Sequence, residues 1–213
     1  MKNKIINTLN SLKAWLESDE MCYMAINGGF EFEIKNKLAY WLQHNYNENN
    51  SIFFVKEAKI GKDNKSKIVD IISILPNKSV ENDDLFYIDG EKKNNKVGCA
   101  IELGHNYLSQ PVDFIINKTN TDITKCHNAG ITNNLYIVQI VTNIVSIDNS
   151  ARYFFKRSYL SGVKSHIKNN KSLTNLSKIR DYYNTIDNQY KELSFKNKWN
   201  NFETEIYLLI LKI

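Results

Sequence analysis

The chain has 213 residues, a formal net charge of +5 at pH 7 and a hydrophobic content of 42%, all ordinary values for a globular protein. This length suits a single domain with a substantial core, and the odd number of cysteines, three, argues against a disulfide framework. In the first 20 residues, apolar side chains recur at helical spacing with charges between them, which excludes a signal peptide or a membrane span there. We expect one cytoplasmic domain over 1–213 that makes no membrane contact.

Hydrophobic periodicity and turn residues predict alternating helices and strands. Helices are expected at about 3–18, 30–45, 109–127, 150–168 and 172–192, and strands at about 51–59, 67–75, 134–146 and 203–213. Between the second and third of these strands, residues 84–104 are expected to form a hairpin whose turn is Asp89–Gly90. The order predicts an α/β fold in which a mixed β-sheet is flanked by helices and the C-terminal part is helical.

Positive charge is concentrated in a basic helical segment expected at about 150–195. Residues 151–200 contain 11 lysines and arginines against 3 acidic residues, whereas residues 1–150 contain 16 against 18. A solvated helix face would give the same charge run as a surface for a polyanion, so both interpretations stay open. The candidates for contacting a nucleic-acid backbone, which alternate with aromatic residues, are Arg152, Lys156 and Arg157.

Two carboxylates lie inside apolar strands. Asp70 interrupts the apolar run "IVDIISIL", and Glu102 lies in "GCAIELGHNY", where Cys99 and Ile101 alternate with small residues. Burial raises the pKa of a carboxyl group unless a cation shares the site, so acids at such positions need a partner. A divalent metal ion that prefers oxygen ligands, Mg²⁺, is the simplest partner.

A helix with Glu31 and Glu33, a strand with Asp70, a strand ending in "IEL", a helix and a further strand follow one another over about 27–145. This order resembles the PD-(D/E)XK nuclease superfamily, which includes many restriction and repair endonucleases. The resemblance implies a restriction-endonuclease-like core and metal-dependent hydrolysis of phosphodiester bonds. It makes Asp70 and Glu102 the metal ligands and Glu33, or alternatively Glu31, a supporting catalytic glutamate. In such a site, Mg²⁺ activates a water molecule and stabilises the leaving oxygen.

The chain departs from the family pattern at the catalytic lysine, whose position two residues after the second acid is occupied by Gly104. The first candidate for a migrated catalytic lysine is Lys59, which shares a predicted strand face with Glu57, and the second is Lys118 on the following helix. Glu57 itself would match a glutamate that some members carry on the first strand. A literal match to the motif, "EKK" at 91–93, falls on a polar hairpin tip, where a metal would be poorly enclosed.

Three hypotheses follow. The first is a Mg²⁺-dependent endonuclease that cuts DNA in restriction or phage defence, for which cutting of both strands would favour a homodimer. The second is a catalytically degenerate nuclease fold that binds nucleic acid or a protein without cutting, and Gly104 favours it. The third treats the acids as ordinary ion pairs with Lys59 or Lys67. Retention of the buried acids favours the first hypothesis, because an unpaired buried charge destabilises a fold.

Overall fold

A computed structural model of the chain describes residues 1–27, 30–46, 52–61, 67–75, 86–88, 91–93, 96–148, 150–151, 157–169 and 171–213. The helices in these ranges are α1 (Lys2–Ser11), α2 (Lys13–Leu16), α3 (Asp19–Asn27), α4 (Phe30–Tyr46), α5 (Val112–Asn128), α6 (Arg157–Lys168) and α7 (Ser172–Ile186). The strands are β1 (Phe53–Gly61), β2 (Lys67–Leu75), β3 (Phe86–Ile88), β4 (Glu91–Lys93), β5 (Lys96–Tyr107), β6 (Leu135–Ser146), β7 (Lys191–Trp199) and β8 (Phe202–Lys212). No helix in these ranges is both long and apolar enough to cross a membrane.

The described strands form one mixed sheet in the order β4-β3-β1-β2-β5-β6-β8-β7. Strands β1, β2 and β5 are antiparallel to their neighbours in this part of the sheet, whereas β5 and β6 run parallel and are connected through α5. The predicted α/β architecture with a mixed sheet flanked by helices is therefore confirmed.

Helices cover both faces of this sheet. On one face, α1 to α4 pack against side chains such as Ile71, Ile101 and Val138. On the other face, α5 and α7 pack against side chains that include Ala100 and Ile137. Ala100 and Ile101 are consecutive on β5 and pack on opposite faces of the sheet, because side chains alternate along a strand.

The regular alternation of side chains along strand β1 is interrupted at Glu57. The sequence pattern places Phe54 and Ala58 on one face, since they are four residues apart on a predicted strand. In the structure, Phe54 belongs to the α1–α4 side and Ala58 to the α5–α7 side. Glu57 adopts φ 53°, a left-handed conformation that is uncommon outside glycine, and this residue reverses the alternation.

Helix α4, strand β2 and strand β6 lie within a residue or two of their predicted limits. The single helix predicted at about 3–18 is instead broken at Leu12, whose ψ of 6° leaves the helical range, and α3 follows as an additional helix. The helix predicted to reach residue 192 ends at Ile186, and β7 was missed. This strand lies at an edge of the sheet, and its charged residues resemble a solvated helix face in the sequence.

The hairpin prediction is confirmed for its first part only. Strands β3 and β4 pair antiparallel, with Ile88 opposite Glu91, and the predicted turn residues Asp89 and Gly90 lie outside the described residues. The chain that follows, β5, leaves this hairpin and pairs with β2 and β6 in the middle of the sheet.

Candidate active site

The ladder between β2 and β5 ends at Asp70, which is half-buried, and Glu102, which is buried. Their strands pair from Leu75 and Lys96 as far as Ile71 and Ile101. Beyond that point, the Leu103 N–H donates to Asp70 Oδ2 at 2.8 Å and the Asp70 N–H donates to Glu102 Oε2 at 3.3 Å. Carboxylate oxygens thus replace backbone carbonyls as acceptors, and the two acids lie side by side on adjacent strands, as the sequence predicts. We call this opening between β2 and β5 the fork.

A lysine from α4 neutralises the β1–β2 side of the fork. Lys35 Nζ lies 2.7 Å from Glu57 Oε1 and 3.3 Å from Asp70 Oδ1. The residue is only 7% exposed, and its ammonium group is held by these two carboxylates. The left-handed backbone of Glu57 turns its side chain towards α4, which explains why a strained conformation occurs at this point.

A second lysine enters the fork from α5. Lys125 Nζ forms an ion pair with Glu102 Oε1, and Glu102 is only 3% exposed. Burial, reinforced by the negative charge of Asp70, raises the pKa of Glu102 to about 8, while Lys125 acts in the opposite direction. Burial also raises the pKa of Asp122, one turn from Lys125 on the same helix, to about 6. The fork therefore favours an additional positive charge or a bound proton.

Glu31 approaches the fork from the start of α4. Its carboxylate lies 3.9 Å from Lys118 Nζ. Burial raises the pKa of Glu31, and the charge of Asp70 adds to this effect. Glu31 and Lys35 share one side of α4 because they are four residues apart.

Of the two glutamates considered on α4, the structure thus brings Glu31 to the acids. Glu33 follows two residues later, about 200° further around the helix axis at 3.6 residues per turn. Its predicted approach to the fork is replaced by that of Glu31.

The small residue at position 104 is explained by a side chain of the next strand. Gly104 lies opposite Gln139 of β6, and a Cβ atom added to Gly104 would lie 2.6 Å from Gln139 Oε1. Gln139 is fully buried and accepts a hydrogen bond from the Thr119 hydroxyl at 3.2 Å. The space that the family's lysine would use is therefore filled by an ordered glutamine.

The two candidates for the catalytic lysine lie on β1 and α5. Lys59 is exposed on β1, opposite Ile68, whereas Lys118 donates to the His105 carbonyl oxygen at 3.1 Å, beside Glu31. Arg157 begins α6, and Arg152 and Lys156 lie outside the described residues.

The sequence analysis did not predict the two lysines of the fork. Lys35 precedes Leu38 and Leu42 by three and seven residues, so it interrupts the apolar stripe of α4. This interruption is the feature of the sequence from which Lys35 could have been predicted as a buried residue. Lys125 gives a weaker signal, because it lies among polar residues of α5. Both lysines pair with the acids in place of Lys59 and Lys67, which the ion-pair hypothesis had named.

The donor set at the fork suits Mg²⁺ by chemical type. Each of Asp70 and Glu102 uses one oxygen for a backbone N–H and the other for a lysine. Mg²⁺ is commonly held by one or two carboxylates together with water and substrate phosphates. Among the described residues, no group of three or more His, Cys, Asp or Glu side chains is arranged to hold a metal ion. A metal here would therefore depend on these two acids.

Comparisons with protein-family models, with curated proteins and with solved structures found no match for this chain.

Proposed function

We propose that the protein is a Mg²⁺-dependent endonuclease with a restriction-endonuclease-like fold that hydrolyses DNA phosphodiester bonds in restriction or phage defence. The observation that carries the proposal is the fork itself, in which Asp70 and Glu102 lie side by side with their outer oxygens held by lysines. The pairing of both acids with lysines indicates that this part of the protein binds positive charge. Packing of a structural core does not require such a site.

The order of elements supports the same proposal. Helix α4, the antiparallel strands β1, β2 and β5, helix α5 and the parallel strand β6 follow one another along the chain and lie side by side in the fold. This is the order on which the resemblance to PD-(D/E)XK nucleases rests, and the two acids occupy the second and third of those strands.

In this mechanism, Asp70 and Glu102 would hold the metal. When bound, Mg²⁺ activates a water molecule and stabilises the leaving oxygen. The N–H groups of Asp70 and Leu103 fix one oxygen of each acid, so both carboxylates are oriented before any ligand arrives. Lys35 and Lys125 balance the negative charge of the acids, and Lys125 lies where it can contact a phosphate oxygen.

The basic segment supplies the proposed contact with DNA. Arg157 and the lysines of α6 and α7 belong to a stretch in which basic residues exceed acidic ones by eight over 151–200. Reversing the charge of Arg152, Lys156 and Arg157 should weaken binding to all DNA sequences alike and flatten its salt dependence, because fewer counterions are released. Cutting both strands of a duplex would need two sites, which a homodimer provides.

The direct test combines thermal unfolding with cleavage of plasmid DNA in Mg²⁺ or Mn²⁺. The metal should raise the melting temperature, because a ligand bound only by the folded state stabilises it. Asp70→Asn should remove the metal-induced shift and reduce cleavage at least about 100-fold, since a catalytic metal contributes several kcal/mol. Asp181→Asn, at an exposed position on α7, is the matched control and should behave like the wild type. Absence of a metal-induced shift in the wild type would refute the proposal.

A second candidate function is supported by the packing at Gly104. Because Gln139 fills the position of the family's lysine, the fold could have kept nucleic-acid or protein binding and lost cleavage. In that case the metal should raise the melting temperature as before, while no cleavage of any DNA is detected.

A further inference from the structure

A groove runs along the outer side of α5. It has a volume of about 610 Å³ and is lined by Lys67, Asn117, Asn120, Thr121, Thr124, Lys125 and Asn128. The lining residues on α5 follow one another at alternating steps of three residues and one residue. They therefore form one stripe along the helix. The first and last of them are 11 residues apart, which is about 16 Å at 1.5 Å per residue.

The lining has the chemistry of a surface for a polyanion. It offers amide and hydroxyl groups and two ammonium groups, and none of the described residues that line it carries a carboxylate. Asn, Thr and Lys side chains are common partners of phosphate and sugar oxygens in nucleic-acid complexes.

The groove is continuous with the fork. Lys125 lines the groove and also holds Glu102 Oε1. Lys67 lines its other side and begins β2, three residues before Asp70. A chain lying in the groove therefore contacts Lys125, the partner of Glu102, and passes the start of the strand that carries Asp70.

We propose that this groove holds the backbone of the DNA strand that is cut, and that it does so without reading the bases. This inference rests on the proposed nuclease function and adds the path of the substrate. At about 3.4 Å per phosphate of one strand, a stripe of this length contacts about five phosphates. Its short side chains reach the backbone, so the contacts position the strand and carry no sequence information.

The test measures binding of fluorescein-labelled duplex DNA by anisotropy in EDTA, where no cleavage interferes. Thr121→Glu/Thr124→Glu places two carboxylates in the groove at exposed positions of α5. Asn7→Glu/Asn10→Glu places two carboxylates at the same spacing on exposed positions of α1, on the opposite face of the sheet, and is the matched control. We expect the groove variant to bind at least about tenfold more weakly for each of three unrelated sequences, and the control to stay within about twofold.

A single substitution to alanine is less disruptive than two added carboxylates and separates effects on DNA binding from effects on folding. Lys67→Ala should flatten the slope of log K against log salt by about 0.9, the value for one lost phosphate contact. Melting temperatures of all variants in the absence of DNA establish that each is folded. Wild-type affinity in the groove variant, or equal losses in the groove and control variants, would overturn the groove while leaving the nuclease proposal intact. Absence of DNA binding by the wild type would overturn both.

Discussion

Strands β6 and β8 pair over ten residue pairs, whereas β2 and β5 pair over five before they separate. The first ladder is made of backbone groups and is covered by apolar side chains such as Val138 and Leu208. In the second, carboxylates accept from the N–H groups of Asp70 and Leu103. Two regions of one sheet thus satisfy the same kind of backbone donor in different ways.

The difference shows where the fold accepts a cost in stability. A carbonyl acceptor completes a ladder without charge, but a buried carboxylate requires a cation nearby. At the fork, this cation is provided by Lys35 of α4 and Lys125 of α5, which lie on opposite faces of the sheet. Because β6 and β8 need no such compensation, we regard their ladder as the scaffold and the fork as the functional region.

The largest effect should come from Gly104→Lys, which introduces a lysine at the position where the PD-(D/E)XK pattern has one. The new Cβ would lie 2.6 Å from Gln139 Oε1, and the ammonium group would need a partner in a buried space. Overpacking and an unpaired charge together should lower the free energy of unfolding by about 3 kcal/mol, measured by urea denaturation. The double variant Gly104→Lys/Gln139→Ala should recover part of this loss. Wild-type stability of the single variant would show that Gln139 does not determine the residue at position 104.

Lys35→Met should have the next largest effect. Methionine preserves the apolar stem but leaves Asp70 and Glu57 without their shared cation. Removal of one partner from a buried pair costs about 3–5 kcal/mol; we expect about 2 kcal/mol from the half-buried Lys35–Asp70 pair and nothing measurable from the exposed Glu57. Lys13→Met, whose partner Glu17 is at the surface, is the control and should change stability by at most about 0.5 kcal/mol. Equal effects of the two substitutions would mean that the fork is no more dependent on charge than the surface.

The sequence predicted the elements that build the fork better than the charges inside it. Periodicity located α4 and β2, and the apolar surroundings of Asp70 and Glu102 identified them as neighbours on adjacent strands. The lysines were not predicted, because the position of an ammonium group depends on how a helix packs against a sheet. Lys35 and Lys125 lie 35 and 23 residues along the chain from the acids they hold.

Two errors of the sequence analysis have backbone causes. The regular alternation assumed for β1 fails at Glu57, since nothing in the residue types there indicates a left-handed conformation. Strand β7 was missed because its pairing with β8 is a tertiary interaction, which outweighs the weak strand preference of a lysine-rich segment.

Stability in acid should depend on His105, whose ring lies against Phe30 and Tyr107. Burial, assisted by Lys118, lowers the pKa of His105 to about 3, against about 6.5 in an unfolded chain. The unfolded state gains a proton first as the pH falls below 6.5, so stability present above that pH should decrease by about 2 kcal/mol at pH 5.

The measurement compares urea denaturation of wild type and His105→Phe at pH 7 and pH 5. The variant loses the hydrogen bond to the Thr142 hydroxyl at both pH values, so only the difference in pH dependence reports on the histidine. Glu102 has a raised pKa and acts with the opposite sign, since its contribution decreases as the pH rises towards 8, but it is present in both proteins. His127→Phe makes the same replacement at an exposed position of α5 and is the control for the substitution itself. An unchanged pH dependence in His105→Phe would contradict the prediction.

The smallest effect is expected at Lys59, the first candidate for the family's lysine. Its side chain is exposed on β1, so Lys59→Ala should change the free energy of unfolding by at most about 0.5 kcal/mol. Metal-dependent cleavage by this variant should stay within about twofold of the wild type, whereas Lys125→Ala, which removes the cation paired with Glu102, should reduce it at least about tenfold. Both variants are compared in the plasmid cleavage assay at equal metal concentration. If Lys59→Ala instead stopped cleavage and kept the metal-induced rise in melting temperature, Lys59 would be the catalytic lysine and Lys125 only a counterion of the fork.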